Sequence, residues 1–176
     1  MPTGPNGVIV ASLCALCMAL APAASAQRYR VLVGEEGSTR VSLVEFRPCV
    51  PAETSDCGAW LVRTFDGSAD STLRPGVGAQ QIESRRGSRI ARISIQGSAV
   101  VVTPLSSGGG QPVRVSGTHG RPIALVRAPD DAYAFGIFAG ATGQSSELAM
   151  IDLNTCTVWA IFPLAGRPAG IAMAPP

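Results

Sequence analysis

The residues that could do chemistry are few. His119 is the single histidine, set in Ser116-Gly117-Thr118-His119-Gly120, and Asp130, Asp131 and Asp152 are its candidate carboxylate partners. A histidine oriented by a carboxylate is a general base; the alternative is an exposed histidine in a turn. One histidine excludes any site that needs two. A serine nucleophile on a Gly-x-Ser-x-Gly elbow is absent. All 14 basic residues are arginine, so neither a Walker A phosphate loop nor lysine Schiff-base chemistry is available. The adjacent carboxylates Glu35-Glu36 and Asp130-Asp131 would point to opposite faces on a strand, and both sit in turn-like sequence where solvation is the simpler role. No catalytic residue is assigned.

Five cysteines divide by position. Cys14 and Cys17 lie within an apolar run, Val8 to Ala21, that ends in Ala24-Ser25-Ala26 before Gln27. The run is shorter than the roughly 20 residues of a membrane span, and the small-x-small triplet fits signal peptidase. Residues 1–26 are therefore expected to be a cleaved export signal, although their first residues carry no lysine or arginine. The mature chain, from Gln27, would be periplasmic or secreted and carry no membrane span. Export permits disulfides, and Cys49 and Cys57 are expected to pair across a polar loop. Cys156 is then left as a free thiol or the donor of an intermolecular bridge. Three cysteines and one histidine lack C-x2-C spacing, so neither a metal site nor a cofactor is expected.

Arg85, Arg86, Arg89 and Arg92 form the densest basic patch. With no aromatic residue interleaved, they do not make a stacking platform for nucleic acid, and a formal charge of +2 argues against a polybasic binder. They read as a charged hairpin at a sheet edge or, alternatively, as a surface for an anionic partner. Trp60, Trp159, Tyr133 and Phe135 are assigned to the core rather than to a ligand site.

An apolar fraction of 46% excludes disorder, and residues 27–176 suit a single all-β domain. Short apolar runs recur every 10 to 15 residues between Gly, Pro, Ser, Asp and Asn, the signature of an antiparallel all-β chain. Twelve strands are predicted: 29–33, 40–46, 59–64, 80–83, 89–95, 99–103, 112–116, 123–127, 132–138, 147–152, 157–162 and 169–173. Val113 and Val115 are expected on one face of a half-buried strand. The alternation of Tyr133, Phe135 and Ile137 with Ala132, Ala134 and Gly136 predicts packing on both faces. Thr157–Phe162, with Val158 and Phe162 set against Trp159 and Ile161, is expected to be a central strand. Ser106–Gly110 reads as a surface loop.

Gly120-Arg121-Pro122-Ile123-Ala124-Leu125-Val126-Arg127-Ala128-Pro129 aligns with Gly166-Arg167-Pro168-Ala169-Gly170-Ile171-Ala172-Met173-Ala174-Pro175, with five of ten positions identical. Ala128-Pro129-Asp130-Asp131, Leu148-Ala149-Met150-Ile151-Asp152 and Leu153-Asn154-Thr155-Cys156 follow the first copy in order. On these residues the stretch 120–176 resembles a YVTN-type β-propeller repeat, with Asp131 and Cys156 standing where the repeat has glycine. The resemblance implies a partial propeller that completes itself by association; a sandwich or barrel is the alternative. The functional expectation is an exported, non-catalytic binding or protein-interaction module with a protein partner or self-association. The alternatives are a small-ligand carrier with a closed barrel or sandwich, and a propeller-type hydrolase or lactonase-like enzyme.

Overall fold

The twelve apolar runs become twelve strands: β1 Tyr29–Glu35, β2 Arg40–Arg47, β3 Gly58–Asp66, β4 Gln81–Arg86, β5 Arg89–Gln96, β6 Ala99–Pro104, β7 Val113–Arg114, β8 Arg121–Arg127, β9 Tyr133–Ala139, β10 Ser146–Asp152, β11 Thr157–Leu164 and β12 Pro168–Met173. The computed structural model describes residues 27–49, 57–68, 75–105, 110–140 and 145–175. The expected signal 1–26 with Cys14 and Cys17, the loop 50–56 and the serine- and glycine-rich stretch 106–109 lie outside them. No helix occurs among the described residues.

The strands form three antiparallel four-stranded sheets, ordered β12-β1-β2-β3, β4-β5-β6-β7 and β11-β10-β9-β8. No sheet closes or curls into a propeller or barrel, and three sheets are not the two of a sandwich. The propeller expectation for 120–176 is therefore corrected. The second Gly-Arg-Pro leads into β12, which leaves its sequence neighbours and completes the first sheet beside β1, matching Val31 to Met173 and Val33 to Ile171. What the two copies share is a turn. Gly120 and Gly166 both adopt positive φ, 91° and 80°, and a Cβ would collide with the Ala139 carbonyl at one and with the Glu35 carboxylate at the other. At Gly120 the backbone leaves room for glycine alone, whereas at Gly166 the Glu35 side chain can shift and positive φ is what favours glycine.

Two apolar clusters share the third sheet. Phe135, Ile137, Leu148 and Met150 join Val31, Val44 and Phe46 of the first sheet. Ala134, Phe138, Ala149 and Ile151 join Ile93, Val100 and Val102 of the second. The alternation along β9 and β10 therefore buries both faces, as the 133–138 pattern predicts, and each face meets a different sheet. Burying one such side chain contributes about 1.5–3 kcal/mol.

Two expectations fail for reasons of register and cover. β11 is an edge strand, not a central one. It is apolar on both faces because it lies between two sheets. A bulge at Trp159 in β11 pairs Ala160 with Met150 and Val158 with Ile151, leaving Trp159 without a partner in the ladder. That shift places Val158 with Ile161 in one cluster and Trp159 with Phe162 in the other, reversing the grouping simple alternation gives. Trp60 is not in the core. It stands on β3, the edge of the first sheet, with the Arg47 guanidinium 4.7 Å over its ring.

Candidate functional site

β8 ends and β9 begins at one end of the third sheet, and the same end receives the β10–β11 turn, the start of β1 and the β4–β5 hairpin. In Ala128-Pro129-Asp130-Asp131 the Asp131 amide donates to the Ala128 carbonyl at 3.2 Å. Pro129 pre-sets the turn. Asp130 uses both oxygens: Oδ1 accepts from the Ala132 amide at 3.2 Å and Oδ2 accepts from the Tyr29 hydroxyl at 2.7 Å. The second bond joins residues 101 apart. The Tyr29 ring lies edge-on to Tyr133, centroids 5.3 Å apart, and 5.8 Å from Phe135. Burial first, and the bonded Asp130 second, raise the Tyr29 hydroxyl above its ordinary pKa. Burial raises Tyr133 too, with Asp152 and Asp130 adding to it. Both phenols stay protonated, and Tyr29 donates to Asp130.

The neighbouring turn is tied the same way. Asp152 Oδ1 accepts from the amides of Asn154 at 2.7 Å and Thr155 at 3.4 Å. Asp131 and Cys156, standing where a hairpin would carry glycine, both take the left-handed conformation, at φ 60° and 55°. Each such residue costs on the order of 1 kcal/mol. Cys156 is the free cysteine among the described residues and is half-buried. Burial, then Asp152, raises its thiol pKa, so it is a poor nucleophile near neutral pH. Cys49 and Cys57 form the expected disulfide, with Cα atoms 4.8 Å apart.

Beside Tyr29, Glu45 is 3% exposed. Arg30 Nε and Arg47 Nε each donate to it at 2.9 Å, and Arg28 stands 4.0 Å away. Burial alone would raise the Glu45 pKa, but the bonds from Arg30 and Arg47 outweigh it and hold the carboxyl below its ordinary range.

Between the β4–β5 hairpin and the Leu153–Cys156 turn opens a cleft of about 360 Å³. The register of the second sheet puts Ser84, Arg86, Arg89, Ala91, Val102 and Val113 on one face. Further along, that face is core, with Ile93 and Val115 buried. Here its cover runs out. Val113 and Val115 do point the same way, but Val115 is 3% exposed and Val113 is 44% exposed, because Val113 lines the cleft. The basic patch separates by face. Arg85 and Arg92 turn to Glu83, at 3.8 and 3.7 Å. Arg86 and Arg89 are directly opposed across the Gly87-Ser88 turn and line the cleft. Like charges so placed destabilise a sheet by about 0.2–1 kcal/mol. The nearby carboxylates are occupied elsewhere. Arg127 Nη1 lies 3.1 Å from Asp131 Oδ1, an ion pair too bent to be a hydrogen bond. Arg86 donates to the neutral Asn154 Oδ1 at 3.2 Å, and Ser84 Oγ donates to the Asp131 carbonyl at 2.9 Å.

His119 is not part of this assembly. It lies before β8, whose seven residues separate it from Asp130 and Asp131, and its Nδ1 stands 3.5 Å from Glu147, with the side chain 73% exposed. His119 is thus the exposed histidine in a turn, and none of the candidate aspartates reaches it; Glu147 stands there instead, because β8 carries the chain away before the aspartates occur. No group of three His, Cys, Asp or Glu able to hold a metal ion occurs among the described residues, nor does a helix long and apolar enough to cross a membrane. Residue spacing alone overlooks Tyr29, Glu45 and Val113. The Arg86–Arg89 opposition is readable from sequence, since a two-residue Gly-Ser turn places its flanking residues opposite one another. Neither a protein-family model nor a curated protein matches the chain, and the likeness of 120–176 to a propeller repeat reduces to shared turn chemistry.

Proposed function

We propose that the chain is an exported, non-catalytic binding module that takes a small ligand in the cleft between the Gly87-Ser88 hairpin and the Leu153–Cys156 turn. The observation that carries this reading is Val113, an apolar side chain on a core-facing surface that is left open over a cavity of about 360 Å³. Ligand sites are concave, largely apolar and equipped with a few polar groups; here Ser84, Asn154 and two arginines serve. Binding rather than turnover is favoured because His119 stands at the far end of β8. The Cys49–Cys57 bond supports export, since such bonds persist in oxidising compartments.

The test is nitrogen-15 NMR of the purified protein titrated with small compounds bearing apolar tails. Amide shifts should gather at Ala91, Val102, Val113 and Leu153, and Val113→Trp, which fills the cleft, should abolish them. Shifts scattered over the surface would overturn the cleft. Expression with the native N-terminus and fractionation test export: the exported protein should begin at Gln27, whereas a full-length cytoplasmic product would refute it.

A second reading, association through the edge of the first sheet, is favoured by Leu61 and Val62. They are 47% and 44% exposed on β3, and Leu61 lines a groove of about 580 Å³ that also meets Phe162 and Pro163. Light scattering after size exclusion should show an oligomer that Leu61→Asp dissociates; a monomer at high concentration would sink this reading.

A further inference from the structure

We infer that the ligand of the cleft is a small amphipathic anion, a carboxylate head on a short apolar chain. The inference rests on the cleft being a binding site and adds the chemistry of what fills it. The β4–β5 register sets Arg86 directly opposite Arg89. Among the described residues neither forms an ion pair with a carboxylate, although Glu83 takes Arg85 and Arg92 and Asp131 takes Arg127. Asp130 spends both oxygens, on Tyr29 and on a turn amide, and Asp152 spends Oδ1 on two turn amides. Two arginines are thereby opposed across the turn and line one cleft, where the carboxylate that shares the lining, Asp131, is paired with Arg127. A carboxylate there removes their mutual repulsion and receives forked hydrogen bonds from planar donors that suit it.

The rest of the face supplies the tail's site. From the arginines it runs inward through Ala91, Val102 and Val113 towards the buried Ile93 and Val115, and Leu153 and Cys156 close it from the third sheet. The gradient from paired charge at the rim to apolar floor matches a molecule that is charged at one end only. A cation is repelled at the rim, and a neutral head leaves the arginine pair as it was.

Octanoate, 1-octanol and octylammonium share a chain and differ in the head. In NMR titrations of the purified protein, octanoate should move the amides of Ala91, Val102, Val113 and Leu153, bind more tightly than 1-octanol, and weaken as salt is raised. Arg86→Gln with Arg89→Gln should lower octanoate affinity by about tenfold or more and leave 1-octanol unchanged. Without ligand this variant loses the Arg86–Asn154 bond along with the opposed like charges, two effects of opposite sign, so its melting temperature should change little. The Arg86→Lys, Arg89→Lys variant keeps the charge without the fork and should lie between. Equal binding of octanoate and 1-octanol in the cleft, or tighter octylammonium binding, would overturn the anionic head while leaving the cleft a binding site. Failure of all three to reach the cleft would overturn the cleft itself.

Discussion

At one end of β8, Asp130 takes the Tyr29 hydroxyl from 101 residues away; before its other end, His119 faces Glu147 from the surface at 3.5 Å. Both are pairs of a polar donor and a carboxylate, and they differ in what surrounds them. Tyr29 is 3% exposed and packed against Tyr133 and Phe135, so its bond is shielded from water on the tyrosine side. His119 is open to solvent, which screens the pair and leaves it little net worth. The turn end is therefore held by groups distant in sequence: Tyr29 with Asp130, Ser84 with the Asp131 carbonyl, Arg86 with Asn154. A cleft needs walls that stay put, and the end that opens into one is the end so tied.

The comparison can be broken by mutation, and the largest effect belongs to the disulfide beside the tied end. Cys49→Ser with Cys57→Ser releases a short closed loop and should cost about 2–3 kcal/mol in urea denaturation. Tyr29→Phe should cost about 1.5–2 kcal/mol, the lower part of the range for hydrogen bonds to charged groups, since Asp130 is itself part-exposed. Glu45→Gln should cost about 1 kcal/mol at neutral pH, reduced because Arg28 and Arg30 remain about half in water.

Glu45 also predicts a pH dependence. Burial pushes its pKa up, but Arg30 and Arg47 prevail, so the folded value lies below the unfolded one. Its stabilisation is then complete above the unfolded carboxyl value, about 4.3, and is lost as pH falls through the lower folded value. Between neutral pH and acid, the parent should lose more unfolding free energy than Glu45→Gln does. His119→Ala closes the series, with a change expected within about 0.5 kcal/mol. A loss at His119 equal to that at Tyr29 would mean that the two ends are held alike.

Much of the fold is legible from local chemistry. All twelve runs become strands, and Asp130 and Asp152 tie their turns by accepting nearby backbone amides, because alternation and turn preference act within a few residues. The pairing of Cys49 with Cys57 is legible too, being a short-range closure. β11 was not, because a single bulged residue regroups its faces, and bulges leave no strong mark in composition. Nor was the place of Trp60, since an aromatic residue reads as core wherever it stands, and only sheet order made β3 an edge.

The candidate site divides along the same line. Sequence alone determined that one histidine and no lysine leave little room for acid–base or Schiff-base chemistry, that the chain is all-β, and that the arginines about Gly87-Ser88 form a charged hairpin. Tertiary structure alone decided that β12 returns to β1, that His119 meets Glu147 and not an aspartate, and that Val113 stands uncovered while Val115 is buried. The physical reason is range. Turns and alternation are settled by neighbours in sequence, whereas cover, counter-charge and cavities depend on which distant strand arrives to fill the space.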